Sequence, residues 1–404
     1  MDADKFYSEL GRSQKPGVLT KVVLAAVELM KQGKKIISMT GGSYDPSSVP
    51  YKQIKEIIAG TPTEEWQEIL QYGAASGKME LRREISGFMA GHGITADPKG
   101  EIIVTSGSQQ ALDLVSRVFL NPGDVILVGS PTYLAALGAF KQYNPELRSV
   151  VVDGDGMSVE ALEVELNRIE AEGKWAKLLY VVPSFQNPTG SMLTKERRRR
   201  VLELAEEHDF LVLEDNAYGY INFGGEMPTP IKGLDRTGRV MYTSTFSKIV
   251  SPGLRIGWLA GSREFIGKIV EAKGKVNICN DGVTQYIAAE LFRRGDVEKQ
   301  IPMITRVYRR KRDLMLEAME TSFPEEAEWK EPKGGLFLWV SLPERVDATE
   351  MLTESLNRGV AYVPGSNFFA EPVHNYIRLN YSFPSEPDIV EGIQILGGLL
   401  KEKL

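Results

Sequence analysis

The stretch TSTFSKIVSPGLRIGW, residues 243 to 258, sets one lysine among small hydroxyl residues and an arginine seven places on. Lys248 has no acid close to it in the sequence to pair with its ammonium. Thr243, Ser244, Thr245 and Ser247, together with the planar fork of Arg255, are good ligands for a phosphate dianion. A lysine amine beside them is placed to form an imine with an aldehyde carried by the same phosphorylated molecule. Without further groups the stretch reads as a surface lysine in a polar loop.

Three other stretches supply those groups. TSGSQQAL (105 to 112) puts Gly107 and Ser108 where a strand gives way to a helix, so free backbone N–H groups and the positive helix end meet any anion there. The same residues also make an ordinary helix start. FLVLEDNAYGY (210 to 220) ends a buried strand on Glu214 and Asp215. A carboxylate in that position is costly alone, so one of the pair holds a protonated ring nitrogen or another cation, or else caps the next turn. In PSFQNPTG (183 to 190), Pro188 pushes Asn187 toward extended geometry, where its amide donates and accepts at a fixed place; a plain turn is the competing reading. An anion site, an acid for a ring nitrogen, an amide for a ring oxygen and a lysine for an aldehyde match pyridoxal 5′-phosphate group by group.

These residues need a frame. EIIVTS (101 to 106), DVILVG (124 to 129), KLLYVVP (177 to 183), FLVLED (210 to 215), VMYTS (240 to 244) and IGWLAG (256 to 261) are short apolar runs separated by helical patterns. Continuous apolar strands are buried on both faces, which predicts an α/β fold: a mostly parallel sheet sandwiched by helices, with ligand groups at the carboxyl ends of the strands. After Gly261 long helices precede strand-like runs at 334 to 342, 360 to 365 and 376 to 382, the pattern of a smaller α+β domain. The expected division is an N-terminal segment (1–50) joining the small domain, a large domain (51–285) that holds the cofactor, and a small C-terminal domain (286–404).

Composition narrows the partners. The 404 residues carry 48 basic and 54 acidic groups, and the basic ones are scattered apart from Arg197 to Arg200, a run expected on a solvated helix face, so nucleic acid is not a predicted partner. One cysteine, Cys279, excludes a disulfide framework and a thiolate zinc cluster, and His92, His208 and His374 are too far apart for a metal motif. The N-terminus opens without an apolar signal core, and no apolar run approaches the ~18 residues of a membrane helix. A cytoplasmic protein is expected.

These motifs, in this order, resemble the fold-type I, pyridoxal-phosphate-dependent aminotransferases of class I/II, the aspartate aminotransferase superfamily. The likeness is nearest to the 2-aminoadipate and kynurenine branch of multisubstrate enzymes and runs from IISMTGG (36 to 42) to YIRLNYS (376 to 382). It implies that Lys248 in STFSK is the Schiff-base lysine and the proton carrier at the substrate's Cα, that Asp215 in EDNAYG keeps the pyridine nitrogen protonated, and that Tyr218 bonds the ring oxygen. Asn187 in QNPTG would bond the same oxygen, Tyr133 in SPTY would stack on the ring, and Gly107, Ser108, Gln109, Thr245, Ser247 and Arg255 would surround the phosphate. Arg378 in YIRLNYS is similar to the arginine that takes the substrate α-carboxylate, and Gly42 in MTGGSYDP to the backbone group that lets substrate approach closely. Tyr72 in QYGAASG resembles the tyrosine that reaches into the other subunit's site, which implies a homodimer with shared active sites.

The reaction implied is a ping-pong transfer of the amino group from an aromatic, aliphatic or 2-aminoadipate-like L-amino acid to a 2-oxo acid, 2-oxoglutarate above all. A C–S β-lyase on the same scaffold is the alternative. KVVLAAVEL (21 to 29) lacks the arginine with which the aminoadipate branch reads a distal carboxylate, which leans the donor toward apolar side chains unless Arg12, Lys15 or Lys21 stands in. A regulator fused to a DNA-binding domain would need more than the roughly 35 residues ahead of IISMTGG. A nucleotide-binding dehydrogenase would need a G-x-G-x-x-G turn after a strand, which no strand here has.

Overall fold

A strand such as Val125–Ser130 or Ala176–Val181, apolar at successive positions, is stable only with both faces covered. In the computed structural model, which describes residues 3–369 and 373–404, these strands lie inside one eight-stranded sheet. Glu146–Asp153, Val125–Ser130, Ala176–Val181, Leu211–Asp215 and Val240–Thr245 pair in parallel in that order. Ile102–Thr105 sits at the far edge, joined to the rest through Gly257–Ala260, which runs antiparallel to both of its neighbours. That reversal turns residues 246–256 back across the strand ends and sets Arg255 beside the Lys248 turn.

Helices cover both faces, and their starts are capped as their sequences allow. The Thr194 hydroxyl accepts the Arg197 N–H at the start of Lys195–Glu207, and Ser158 does the same for Ala161 in Val159–Ala171. The arginine run on Lys195–Glu207 is a solvated face only in part: Arg199 is exposed and Arg200 pairs with surface glutamates, but Arg198 turns inward. Arg198 shares the inward stripe of Val201, Leu202 and Ala205, and it donates to the Leu193 and Pro183 carbonyls and to the Ser184 hydroxyl. Arg197 grips Asp153 through both terminal nitrogens, at 2.7 and 2.8 Å. Arg198 thus fastens the helix to the loop that carries Asn187.

A second, antiparallel sheet follows the order Glu328–Trp329, Phe337–Ser341, Tyr376–Asn380, Val363–Pro364. The long helices Asp296–Ser322 and Glu386–Lys403 pack on one another in the same part of the chain. Ile37–Ser38 pairs in parallel with Val360–Ala361, and Val22, Ala26 and Ile36 cluster with Leu356 and Ala361. The expected cut between 285 and 286 falls inside helix Gly282–Arg293, whose Phe292 packs on Phe88 and Phe246 of the large-sheet unit. We propose that the seam lies at Gly295, in left-handed backbone directly before Asp296–Ser322.

Candidate functional site

Lys248 ends a single turn, Phe246–Lys248, that leaves strand Val240–Thr245; the Thr245 hydroxyl starts it by accepting the Ser247 N–H at 3.1 Å. The lysine shares a small cavity with Ser108, Tyr133, Tyr180, Asp215 and Tyr218, and its Nζ donates to the Gly42 carbonyl at 2.6 Å. Burial, with the Arg378 and Arg255 cations adding to it, pulls the amine down to about 8. Gly42 keeps the approach open: a Cβ there would stand 3.0 Å from both Lys248 Nζ and Phe337 Cζ and would press on each.

The neighbouring acids Glu214 and Asp215 leave their strand on opposite faces. Glu214 turns away and accepts the Ile231 and Lys232 N–H groups at 3.0 and 2.8 Å, capping the short helix Ile231–Leu234. Asp215 lines the cavity. Its Oδ2 accepts the Tyr180 hydroxyl at 2.9 Å, while its Oδ1 is buried with no partner. Burial pushes the carboxyl up to about 6, and the Tyr180 hydroxyl works in the opposite direction. A buried carboxylate oxygen with an open side toward a cavity calls for a positively charged N–H donor. The protonated nitrogen of a pyridine ring is such a donor, so this corner fits pyridoxal phosphate.

The anion end fits as well. Helix Ser108–Phe119 starts from Gly107 at φ 75°, and a Cβ on Gly107 would stand 2.5 Å from Arg255 Nη2. Glycine therefore lets a guanidinium lie against the helix start, where backbone N–H groups are free. Arg255, itself left-handed at φ 51°, donates to the Ser106 carbonyl at 3.0 Å and to the Ser247 hydroxyl at 3.3 Å. Thr245 and Ser247 join their hydroxyls at 3.0 Å. A cation, two hydroxyls and a helix N-terminus thus meet in one place. Gln109 is a correction: its exposed side chain donates to the Ala135 carbonyl at 3.0 Å, which leaves only its backbone N–H for an anion.

Opposite Lys248 lies Arg378, buried in strand Tyr376–Asn380. Its Nη1 donates to Asn187 Oδ1 at 2.8 Å and its Nη2 to the Thr40 carbonyl, while Nε has no partner. Phe337 and Phe368 flank the guanidinium with ring centroids 4.1 and 5.1 Å from its carbon. Burial pulls this arginine down to about 10. The Asn187 amide also donates to the Tyr218 hydroxyl at 3.3 Å, so it bridges guanidinium and phenol. Tyr133 is pushed up to about 12 by burial and by the charge of Asp215.

Most of the expected residues therefore meet around Lys248. Tyr72 does not: it is 83 % exposed and lines no part of this cavity. Tyr180, Phe337, Phe368 and the Thr40 carbonyl were not foreseen. Tyr180 left a signal, because a phenol inside a run buried on both faces needs a hydrogen-bond partner; the others left none. Among the described residues no cluster of three or more His, Cys, Asp or Glu could hold a metal, and no helix is long and apolar enough to cross a membrane.

Residues 34–396 match the model of the family described as aminotransferase class I and II. The chain is 42% identical over 405 residues to aromatic-amino-acid aminotransferase 1 of Thermococcus litoralis, covering 100% of this chain and 96% of that one. It is 34% identical to the 2-aminoadipate transaminase of Thermus thermophilus, covering 93% of each. Among solved structures, the kynurenine aminotransferase of Pyrococcus horikoshii, in complex with PMP, KYN as substrates and KYA as products, superposes with a TM-score of 0.94 at 41% identity over 100% of this chain and 98% of that one.

Proposed function

From the premise that the chain belongs to the class I and II aminotransferases and is a pyridoxal-phosphate-dependent enzyme of that family, we propose that it moves the amino group of an aromatic or aliphatic L-amino acid to a 2-oxo acid, 2-oxoglutarate above all, in two half-reactions. The arrangement that carries this reading is Lys248 Nζ held on the Gly42 carbonyl in a cavity it shares with Asp215, with Arg378 nearby.

When bound, pyridoxal phosphate supplies an aldehyde and a protonated ring that draws electrons away from the substrate's Cα. Lys248 would anchor the aldehyde, Asp215 the ring nitrogen, Tyr218 and Asn187 the ring oxygen, Tyr133 a ring face. Gly107, Ser108, Gln109 through its backbone, Thr245, Ser247 and Arg255 would hold the phosphate. Arg378 receives the α-carboxylate, its fork fixed beforehand by Asn187 and Thr40. Lys248 Nζ, once free, would take the Cα proton and hand it to the cofactor's aldehyde-derived carbon, so that water can release the 2-oxo acid while the amino group stays on the cofactor. An amine drawn down to about 8 is suited to both directions near neutral pH. Gly42 leaves space for the passing substrate and an acceptor for the lysine while it is free.

The preference for apolar donors rests on helix Val18–Lys31, where residues 21 to 29 hold no arginine, and on Arg12, whose Nε is engaged with the Asp4 carbonyl at 3.2 Å. A homodimer with Tyr72 serving the partner's site is supported by the exposure of Tyr72 and of nearby Leu70, 68 %. A single cysteine needs no oxidising compartment, which supports the cytoplasm as location. The three relatives above are aminotransferases or a transaminase and do not favour the C–S β-lyase.

The test is a donor scan. Purified holoenzyme is mixed with each amino acid and the cofactor absorption is followed through a single half-reaction, with the 2-oxo acid product assayed. Aromatic and aliphatic donors should convert the enzyme faster than 2-aminoadipate. No spectral change with any donor overturns the proposal; lyase products such as pyruvate and ammonia from a β-substituted donor would replace it.

A further inference from the structure

A second opening, a cleft of about 1000 Å3, lies between residues 151–155 at the edge of the large sheet, the 189–194 loop and the small antiparallel sheet. Its wall on the small-sheet side is aromatic. Trp339 and Tyr376 are stacked there, ring centroids 5.1 Å apart and planes within 10°, and Trp329 adds a third ring to the lining. Trp339 is the register partner of Arg378. Residues two apart on a strand share a face, so Tyr376 and Trp339 lie on the face that carries Arg378 and Phe337. Phe368 stands between the two places, edge-on to Trp339 at 5.5 Å and 5.1 Å from the guanidinium of Arg378.

The opposite wall is polar and belongs to the Asn187 loop. Thr189 and Ser191 line it with hydroxyls 2.7 Å apart. Lys330 and Lys333 also line the cleft; neither comes within ion-pair distance of a carboxylate among the described residues, although, after Arg197, the Lys330 charge helps to hold the Asp153 carboxyl down. Four acids share the lining. Asp153 is matched by Arg197 and Glu331 by Arg312, each at 2.7 Å, while Asp155 and Glu328 are exposed to solvent. The hydroxyls are taken up by one another and by Gln186, so the cleft offers a ligand a flat aromatic surface and two ammonium ions, with Asp155 and Glu328 at its exposed margin.

We propose that this cleft is a second ligand site, for a planar aromatic carboxylate whose ring lies on the Trp339–Tyr376 stack and whose carboxylate meets Lys330 and Lys333. The ring gains aromatic contact and the carboxylate a charge-assisted hydrogen bond. A ligand there touches Trp339, and through Phe368 its occupancy reaches the arginine that takes the substrate carboxylate.

Indole-3-acetate serves as the probe, since it has neither an amino nor an oxo group for an aminotransferase to convert. Holoenzyme is titrated with it calorimetrically, as wild type, as Lys330→Glu/Lys333→Glu, as Trp339→Leu and as Arg378→Ala. Binding in the cleft should weaken about tenfold or more in the charge-reversed and Trp339→Leu proteins and persist in Arg378→Ala. The surface charge variant keeps the experiment valid if Trp339→Leu fails to fold. Indole, which lacks the carboxylate, should bind more weakly than the acid to wild type and equally to wild type and the charge-reversed protein. Three results overturn the proposal: no binding to wild type, equal binding of the acid to wild type and charge-reversed protein, or binding lost only in Arg378→Ala, which would place the probe in the substrate site. Holoenzyme that converts no donor but still titrates in this pattern would remove the proposed function and leave the cleft site standing.

Discussion

Asp215 keeps a carboxylate out of water with the Tyr180 hydroxyl donating to it, the Ala217 N–H beside it and one oxygen open, an arrangement that is poor for stability and apt for a cationic ring. The carboxyl is raised from 3.8 to about 6, so in cofactor-free protein the folded state holds its proton over a pH range where the unfolded chain has released it. Stability is therefore lost as pH rises from about 4 to 6 and stays lost above, by on the order of 3 kcal/mol. Asp215→Asn should raise the melting temperature of the apoprotein by several degrees at pH 8 and change it little below pH 4, while cutting kcat of the holoenzyme about 10²-fold or more. Lys248 has the opposite sign. Its amine is lowered from 10.5 to about 8, so the unfolded chain binds the extra proton between those values and stability rises with pH across them. Lys248→Met should stabilise apoprotein at pH 7, by a margin that shrinks above pH 8, and should abolish turnover at every pH. Lys248, Asn187 and Arg255 were legible in the sequence because each is an unusual residue type at a strand end. For Glu214 and Asp215, alternation sends them apart without saying which side holds the ligand, and it was the resemblance at EDNAYG that named Asp215.

At the scale of elements, the strand and helix alternation was legible because strands buried on both faces are apolar at consecutive positions. The same pattern hides direction, and so the antiparallel course of Gly257–Ala260 had to be seen. That course matters chemically, because it returns Arg255 to the start of helix Ser108–Phe119. Gly107 is the joint between them. Gly107→Ala adds a Cβ in left-handed backbone and against Arg255 Nη2, so the helix start and the arginine must separate. Equilibrium dialysis should find the cofactor held about 10- to 100-fold more weakly, with far-UV circular dichroism unchanged. Glu214→Ala tests the other half of the acid pair: it should cost about 1–3 kcal/mol in urea unfolding by stripping two buried N–H groups of their acceptor, and leave KM nearly as it was.

At the scale of the whole molecule, the change of pattern after Gly261 points to two units, and we propose that they meet at Gly295. The expected cut at 285/286 misses that place because helix Gly282–Arg293 reads like the helices that follow it, whereas Phe292 packs on Phe88 and Phe246 and Gln285 accepts the Lys78 N–H. Exposed Tyr72 gives the dimer proposal its test. Lys248→Ala and Tyr72→Ala chains, each inactive or nearly so, are unfolded together and refolded. If Tyr72 works across the interface, each mixed dimer holds one intact site, and random mixing restores about a quarter of wild-type activity. Mixtures no more active than their components would confine each site to one chain.

One consequence of the open Asp215 oxygen reaches beyond catalysis. A ligand that binds only the folded state stabilises it by mass action, and here the ligand also answers a buried charge that the bare chain leaves unmatched. Newly made chains that find no vitamin B6 derivative are then the ones that open most often and meet proteases first. Pulse-chase labelling under vitamin limitation should show a shorter half-life for wild type and a smaller change for Asp215→Asn, so that nutrient supply sets how much of the enzyme a cell keeps as well as how much of it is loaded.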